Sequence, residues 1–406
     1  MRTTTQTILC VVVVLLTFGI PLTEPGYQNV PITIPVDITS YGGLFLQARV
    51  NNSTPMWFYL DSGANSPFVI SANKAKELGL KLLGHVSREG GAGPNPYEAS
   101  QTNGLTMALG HKTFVDQSAE VISLGLVEEQ LGRSVDGLVG LDLFLNYVVE
   151  IDYEDQKLRL YDPQSFVYSG AGENIPLTLH DDHFFIPATI ETPERGELAG
   201  QFLVDTGGCM MTAILTTPFA QKNSLPVPSQ KTILDRSIAG LGGETRLLVG
   251  RATHFKIGDS VFSSPLIYIS QDRDGALASP EYDGVIGTEI LRRFRIIFDY
   301  ARRRLILERN SHFKEPLEYD MSGMSLRAYG DDFRVFKIHQ VLEDSPAGKA
   351  GLLVGDTLQR IDAVPASRLT LEQILQMMKA PGREYKLTIK RGSDTRVVEI
   401  KTRRLV

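Results

Sequence analysis

Phe58-Tyr-Leu-Asp-Ser-Gly63 and Phe202-Leu-Val-Asp-Thr-Gly207 write one pattern twice: an apolar run, an aspartate, a small hydroxylated residue and a glycine. Downstream of the first lies Asp136-Gly-Leu-Val-Gly140, then Glu150-Ile-Asp-Tyr153 and Lys157-Leu-Arg-Leu160. Downstream of the second lies Asp283-Gly-Val-Ile-Gly287, then Ile297-Phe-Asp-Tyr300 and Arg304-Leu-Ile-Leu307. The two downstream stretches align without a gap, so the chain carries an internal duplication.

Each copy has the same order of elements. Alternating strand patterns, Leu44 to Val50 and Phe184 to Ile190, precede the aspartate strands. A short helix follows each: Ser71 is placed to cap Ala72 to Leu78, and Thr217-Pro218 has the cap-then-proline order of a helix start. The fold class is therefore mostly β, two pseudo-symmetric lobes at 30–165 and 172–312. After Lys314-Glu315-Pro316 the pattern changes to a smaller β-rich domain at 320–406. In it Thr370 and Gln373 form a capping box, with Leu369 and Ile374 as its staple, and Pro381-Gly382 ends the helix.

Composition limits what this chain does. With 406 residues, a formal charge of −6 and 22% charged residues, it is a multi-domain globular protein. No basic stretch with interleaved aromatics occurs, which argues against a nucleic-acid partner. Arg2 and the apolar run Ile8 to Phe18 give residues 1–26 the shape of a secretory signal or of an uncleaved membrane anchor. Either reading exports the remainder to a periplasmic or extracellular site, secreted or tethered to the membrane. Of the two cysteines, Cys10 lies in that run and Cys209 is alone in the rest. No intramolecular disulfide follows once the first segment is removed, and no cysteine-based metal site.

A single Asp-Ser/Thr-Gly is an ordinary polar turn. Two copies at equivalent ends of equivalent strands are a constellation. If the lobes meet about a pseudo-two-fold axis, Asp61 and Asp205 face each other and share one proton. Gly63 and Gly207 allow close backbone approach. Ser62 and Thr206 are placed to hydrogen-bond across the interface and fix the carboxylates. Such a pair holds a base and an acid together: one member takes a proton from water while the other donates to a scissile carbonyl oxygen. That chemistry needs no metal and no cofactor.

These motifs resemble aspartic peptidases of the retropepsin and pepsin type, over about residues 35 to 310. The resemblance implies an aspartic endopeptidase acting on polypeptide substrates, with Asp61 and Asp205 catalytic. In that family the Asp-Gly-apolar-apolar-Gly motif supports the active-site loop from beneath, so Gly137, Gly140, Gly284 and Gly287 are structural positions. Family members close a hairpin flap over substrate; the candidates are Glu89-Gly-Gly-Ala-Gly93 and Ile238-Ala-Gly-Leu-Gly-Gly243, one per lobe. The sequence departs from the family at Gly208-Cys209, where Ser or Ala more often follows the glycine. A cysteine nucleophile is the rival reading, without a matching histidine motif.

His180-Asp-Asp-His183 reads as a solvated turn before a strand more readily than as a metal site. Trp57 reads as lobe core. Asp344-Ser-Pro-Ala-Gly-Lys-Ala-Gly-Leu352 followed by Gly355-Asp-Thr-Leu-Gln-Arg-Ile361 is similar to PDZ domains of the bacterial type. Gly323, Met324, Ser325 and Leu326 resemble their carboxylate-binding loop. This implies an extended or C-terminal peptide ligand, laid beside Ser325 to Tyr329 and against Leu371 to Met378, with N–H groups of Met324, Ser325 and Leu326 receiving its carboxylate. The alternatives are a non-catalytic peptide-binding scaffold and a domain that merely packs on the lobes.

Overall fold

The computed structural model describes residues 30–88, 91–180 and 183–406. The 1–26 segment and the first two residues of the lobe 1 glycine-rich stretch, Glu89 and Gly90, lie outside that description, as do Asp181 and Asp182. Leu44–Val50 and Met56–Leu60 form a hairpin. Phe58 and Leu60 enter the large core shared by both lobes. Tyr59 enters a second buried cluster with Phe45, Leu138 and Cys209. Both faces of this strand are covered, which is why its run is apolar without alternation.

Trp57 departs from the sequence expectation. Strand alternation puts it on the Tyr59 face, away from Phe58 and Leu60, and it stays partly exposed with the Arg133 guanidinium 5.1 Å from its ring centroid. The second helix is also shifted by one residue. Thr216 rather than Thr217 is the cap of Thr217–Lys222, accepting from Phe219 N–H, while the Thr217 hydroxyl donates to Asp272 O at 2.7 Å. A threonine next to proline offers two candidate hydroxyls, and packing chose the first. Ser71 caps Ala72–Glu77 as expected.

The Asp-Gly motifs supply the strand that flanks each aspartate strand. Gly137–Val139 runs parallel to Met56–Leu60, with Gly137 beside Phe58. Gly284–Ile286 runs parallel to Gly196–Val204, with Gly284 beside Phe202. A Cβ on either glycine would sit 2.4 Å from the phenylalanine ring, so only glycine lets these strands lie flat on the ring.

Val148–Asp152 pairs antiparallel with Phe294–Asp299, and Glu150 lies opposite Ile297. Those two residues are counterparts in the duplicated sequence, so a local two-fold axis passes through the pair. This joint merges lobe 1 and the interlobe strands into one thirteen-stranded sheet; most of lobe 2 forms a separate ten-stranded sheet. The interlobe layer thereby holds the two aspartate loops on one axis.

The C-terminal domain is a six-stranded sheet in which Met324–Tyr329 is an edge strand. Its helix, Leu371–Met378, has the Thr370–Gln373 capping box. The connection from lobe 2 is fixed by buried arginine. Arg293 Nη1 donates to His312 O and Glu315 O at 2.7 and 2.8 Å, and Arg251 Nη1 donates to Leu317 O at 3.0 Å. Among the described residues no helix is long and apolar enough to cross a membrane.

Candidate active site

Two loops meet at the lobe interface, each following an aspartate strand. Asp61 N–H donates to Val139 O at 2.9 Å, and Asp205 N–H to Ile286 O at 3.0 Å, which anchors each loop on its own Asp-Gly strand. The loops are then tied to each other with two-fold reciprocity. Ser62 Oγ donates to Val204 O at 2.7 Å and Thr206 Oγ1 to Leu60 O at 2.9 Å. Ser62 N–H donates to Thr206 Oγ1 at 2.9 Å and Thr206 N–H to Ser62 Oγ at 3.0 Å. Ser62 is 2% exposed and Thr206 not at all, so these four bonds are made away from water.

The reciprocal ties bring the Asp61 and Asp205 carboxyls side by side, each loop's glycine lying against the opposite carboxyl. Gly63 N–H donates to Asp61 Oδ1 at 2.9 Å and Gly207 N–H to Asp205 Oδ1 at 2.7 Å. A Cβ on Gly63 would lie 2.8 Å from Asp205 Oδ1, and one on Gly207 2.5 Å from Asp61 Cγ. The two glycines therefore set how closely each loop approaches the opposite carboxylate. Burial pushes the Asp61 carboxyl well above the usual carboxylate range, and neighbouring Asp205 adds to the rise. Burial also raises Asp205, against the opposing pull of the Gly207 N–H. The pair thus holds a proton at pH values where isolated carboxylates have lost theirs.

Tyr59 and His183 belong to this site, although the sequence assigns Tyr59 no role and places His183 in a solvated turn. Tyr59 OH donates to Thr206 O at 3.0 Å, and the His183 ring nitrogen Nε2 lies 3.2 Å from Gly63 O. His183 opens a lobe 2 strand yet contacts the lobe 1 loop, a pairing that no local pattern discloses. No group of three metal-ligating side chains occurs among the described residues. Cys209 is buried, with its thiol pushed up to about 11 by that burial; it packs against Tyr59 and is not poised as a thiolate.

The glycine-rich stretches of the two lobes meet. Gly242 N–H donates to Ala92 O at 2.9 Å and Asn95 N–H to Gly242 O at 3.0 Å, joining the tip of the 239–244 hairpin to lobe 1. Beside the Asp205 loop, at Cys209 and Met210, opens a cavity of about 520 Å³; Trp57 and Arg133 line it from lobe 1, Arg334 and Leu375 from the C-terminal domain.

The loop at Gly323 to Leu326 is already engaged from within the chain. Asp320 Oδ1 accepts from Ser322 N–H at 2.9 Å and Gly323 N–H at 2.6 Å, and Met324 N–H donates to Ser322 Oγ at 3.1 Å. The expected donor Met324 is thus committed locally, and Ser325 Oγ is buried without a partner. Leu326 lies in the domain's apolar core. Across the groove, the turn ending the helix Gly125–Leu131 is wedged in: a Cβ on Gly132 would be 2.6 Å from Leu371 Cβ and 3.5 Å from Ala328 Cβ.

Burial raises the Asp320 carboxyl to about 6, and its Oδ2 has no partner. The folded state then keeps a proton that the unfolded chain releases near pH 4, so the stability this proton provides is full below pH 4 and lost as pH rises through 6. Asp320→Asn is expected to remove a destabilisation of up to about 3 kcal/mol between those pH values. Melting temperatures of variant and parent, compared at pH 4 and pH 7, check this; a constant difference contradicts it.

The duplicated lobes, the shared interlobe sheet and the paired aspartate loops define a bilobal, mostly β protein with a smaller β-rich domain at its C-terminal side. Residues 46–143 match the family model described as Aspartyl protease, and residues 321–402 match the PDZ domain model. Over 135 residues, 33% of this chain, it is 25% identical to a probable CtpA-like serine protease of Staphylococcus haemolyticus (strain JCSC1435); the match spans 25% of that protein. Among solved structures, the aspartic proteinase from Irpex lacteus is similar at 17% identity and a TM-score of 0.44, covering 70% of this chain and 99% of that one.

Proposed function

We propose that this chain is an aspartic endopeptidase in which a water held between Asp61 and Asp205 attacks a peptide carbonyl. The observation that carries the reading is the reciprocal bonding of Ser62 and Thr206, which holds two carboxyls of raised pKa in contact at the lobe interface. The ionised member of the pair takes a proton from the water, and the protonated member donates to the carbonyl oxygen as the tetrahedral centre forms. The gem-diol then collapses with departure of the amine, and the pair ends with one proton again. The serine chemistry in the staphylococcal relative's name belongs to that protein. Here Ser62 is buried and its hydroxyl is spent on Val204 O.

The PDZ domain, in this proposal, recruits or orients polypeptides for the lobes when the Gly132 turn withdraws from its groove, and the Ile8 to Phe18 run exports the protein, secreted or membrane-tethered. A peptide carrying a non-hydrolysable hydroxyl isostere tests the catalytic reading, since its hydroxyl occupies the position of the attacking water. Inhibition of peptide hydrolysis at micromolar or lower concentration is expected, with loss of binding in Asp205→Asn. Full activity at saturating isostere would assign the hydrolysis to a site other than the aspartate pair, and binding of the isostere without any hydrolysis would leave the lobes as a peptide-binding scaffold.

A further inference from the structure

The PDZ domain does more than lie beside the lobes: it grips the base of the lobe 2 flap. Its edge strand Met324–Tyr329 carries Arg327, which is 2% exposed. Arg327 Nη2 donates to Ser237 O at 2.7 Å, and Nη1 donates to Gln130 Oε1 at 2.9 Å. The same Gln130 oxygen accepts from Ala239 N–H at 2.7 Å. Both ends of the segment that leads into the 239–244 hairpin therefore hang from one guanidinium, directly or through Gln130.

The neighbouring strand of the domain, Val335–Val341, repeats the grip. Gln340 Nε2 donates to Leu234 O at 2.7 Å, while its Oε1 accepts from Arg236 N–H at 2.9 Å. His339 Nε2 lies 2.9 Å from Glu244 Oε1, at the far strand of the hairpin. Arg327 forms no ion pair among the described contacts; Glu244, Glu129 and Asp235 are its acidic neighbours. Burying an arginine is costly in desolvation, and here its hydrogen bonds go to the backbone at the hairpin base and to an amide that relays to it. The backbone that these bonds restrain is the segment leading into the 239–244 hairpin.

We propose that Arg327 is a positioning residue for the peptidase: from the PDZ domain it sets the resting position of the 239–244 flap over the cleft. The domain is then part of the working site, and its edge strand is spent on this grip. The inference rests on the proposed peptidase function and on taking 239–244 as the substrate flap that the family resemblance implies.

The test compares Arg327→Met, Arg327→Lys and the parent in the full chain. Amide hydrogen exchange should quicken by about tenfold or more at 237–244 in Arg327→Met, with the strand Met56–Leu60 unchanged, because two charge-assisted bonds restrain local opening. With an internally quenched peptide, KM should rise about tenfold while kcat moves less than about threefold, as the lid binds substrate without touching the reacting atoms. Arg327→Lys, which keeps the charge but offers a single donor nitrogen in place of two, should fall between. Unchanged exchange and KM in a folded Arg327→Met protein, or lysine no better than methionine, overturns the proposal. Should Arg327→Met not fold, Gln130→Met decides by the same two measurements, with a smaller shift. If the parent cleaves no peptide, the proposed function fails, and the exchange measurement alone still decides the grip.

Discussion

Asp61→Asn is expected to leave a folded protein whose kcat for peptide hydrolysis has fallen by at least about 10³-fold, the scale of a general acid–base group removed outright. Asp205→Asn should do the same, and the double variant little more, because the carboxyls act as one unit. The same substitution has a stability signature. Both carboxyls are raised above their ordinary range by burial and, for Asp61, by its neighbour. The folded pair binds a proton more tightly than the unfolded chain. The stability contributed by that proton is complete below about pH 4, the unfolded carboxylate value, and is lost as pH rises through the folded-state pKa of the pair. An asparagine stays neutral throughout, so the melting temperature of Asp61→Asn relative to the parent should rise from pH 4 to pH 8. Retained hydrolysis in either single variant sinks the catalytic assignment. A pH-independent difference in melting temperature would show that the pair shares no proton.

Thr206→Val carries the second large effect, through structure instead of proton transfer. Valine matches the shape but leaves Ser62 N–H and Leu60 O without a partner in a site closed to water. Each orphaned group costs roughly 1–3 kcal/mol, so a loss of about 2–5 kcal/mol is expected, or on the order of 10 °C in the melting temperature of a unit this size. The carboxyls lose their fixed spacing too, so kcat should fall with KM less affected. Ser62→Ala removes the mirror-image bonds and should behave alike. The double variant should cost less than the two single losses added, because they share partners. Melting within 2 °C of the parent for Thr206→Val, with kcat unchanged, would mean that the reciprocal bonds do not hold the site.

Much of this was legible because duplication supplies an internal control. Asp136-Gly-Leu-Val-Gly140 and Asp283-Gly-Val-Ile-Gly287 repeat a local requirement, a glycine flat against a phenylalanine ring, and local requirements are written in local sequence. The capping box at Thr370 and Gln373 was readable for the same reason. The register of the interlobe pair, Glu150 opposite its counterpart Ile297, came from the structure, since a two-fold axis does not choose which counterparts meet.

What the sequence by itself determined, then, is the pair of lobes, the two aspartates that face one another and the presence of a third domain. Each depends on periodicity, caps or repetition within a few residues. Only the tertiary structure decided that His183 reaches Gly63, that Trp57 turns from the core to a cavity, and that Asp320 and the Gly132 turn already fill the PDZ loop and groove. It alone placed Arg327 on the flap base. Apart from the local bonds of Asp320, those contacts join residues far apart in the chain and are selected by packing and by the cost of leaving a buried donor unpaired, a choice made only once the domains are in place.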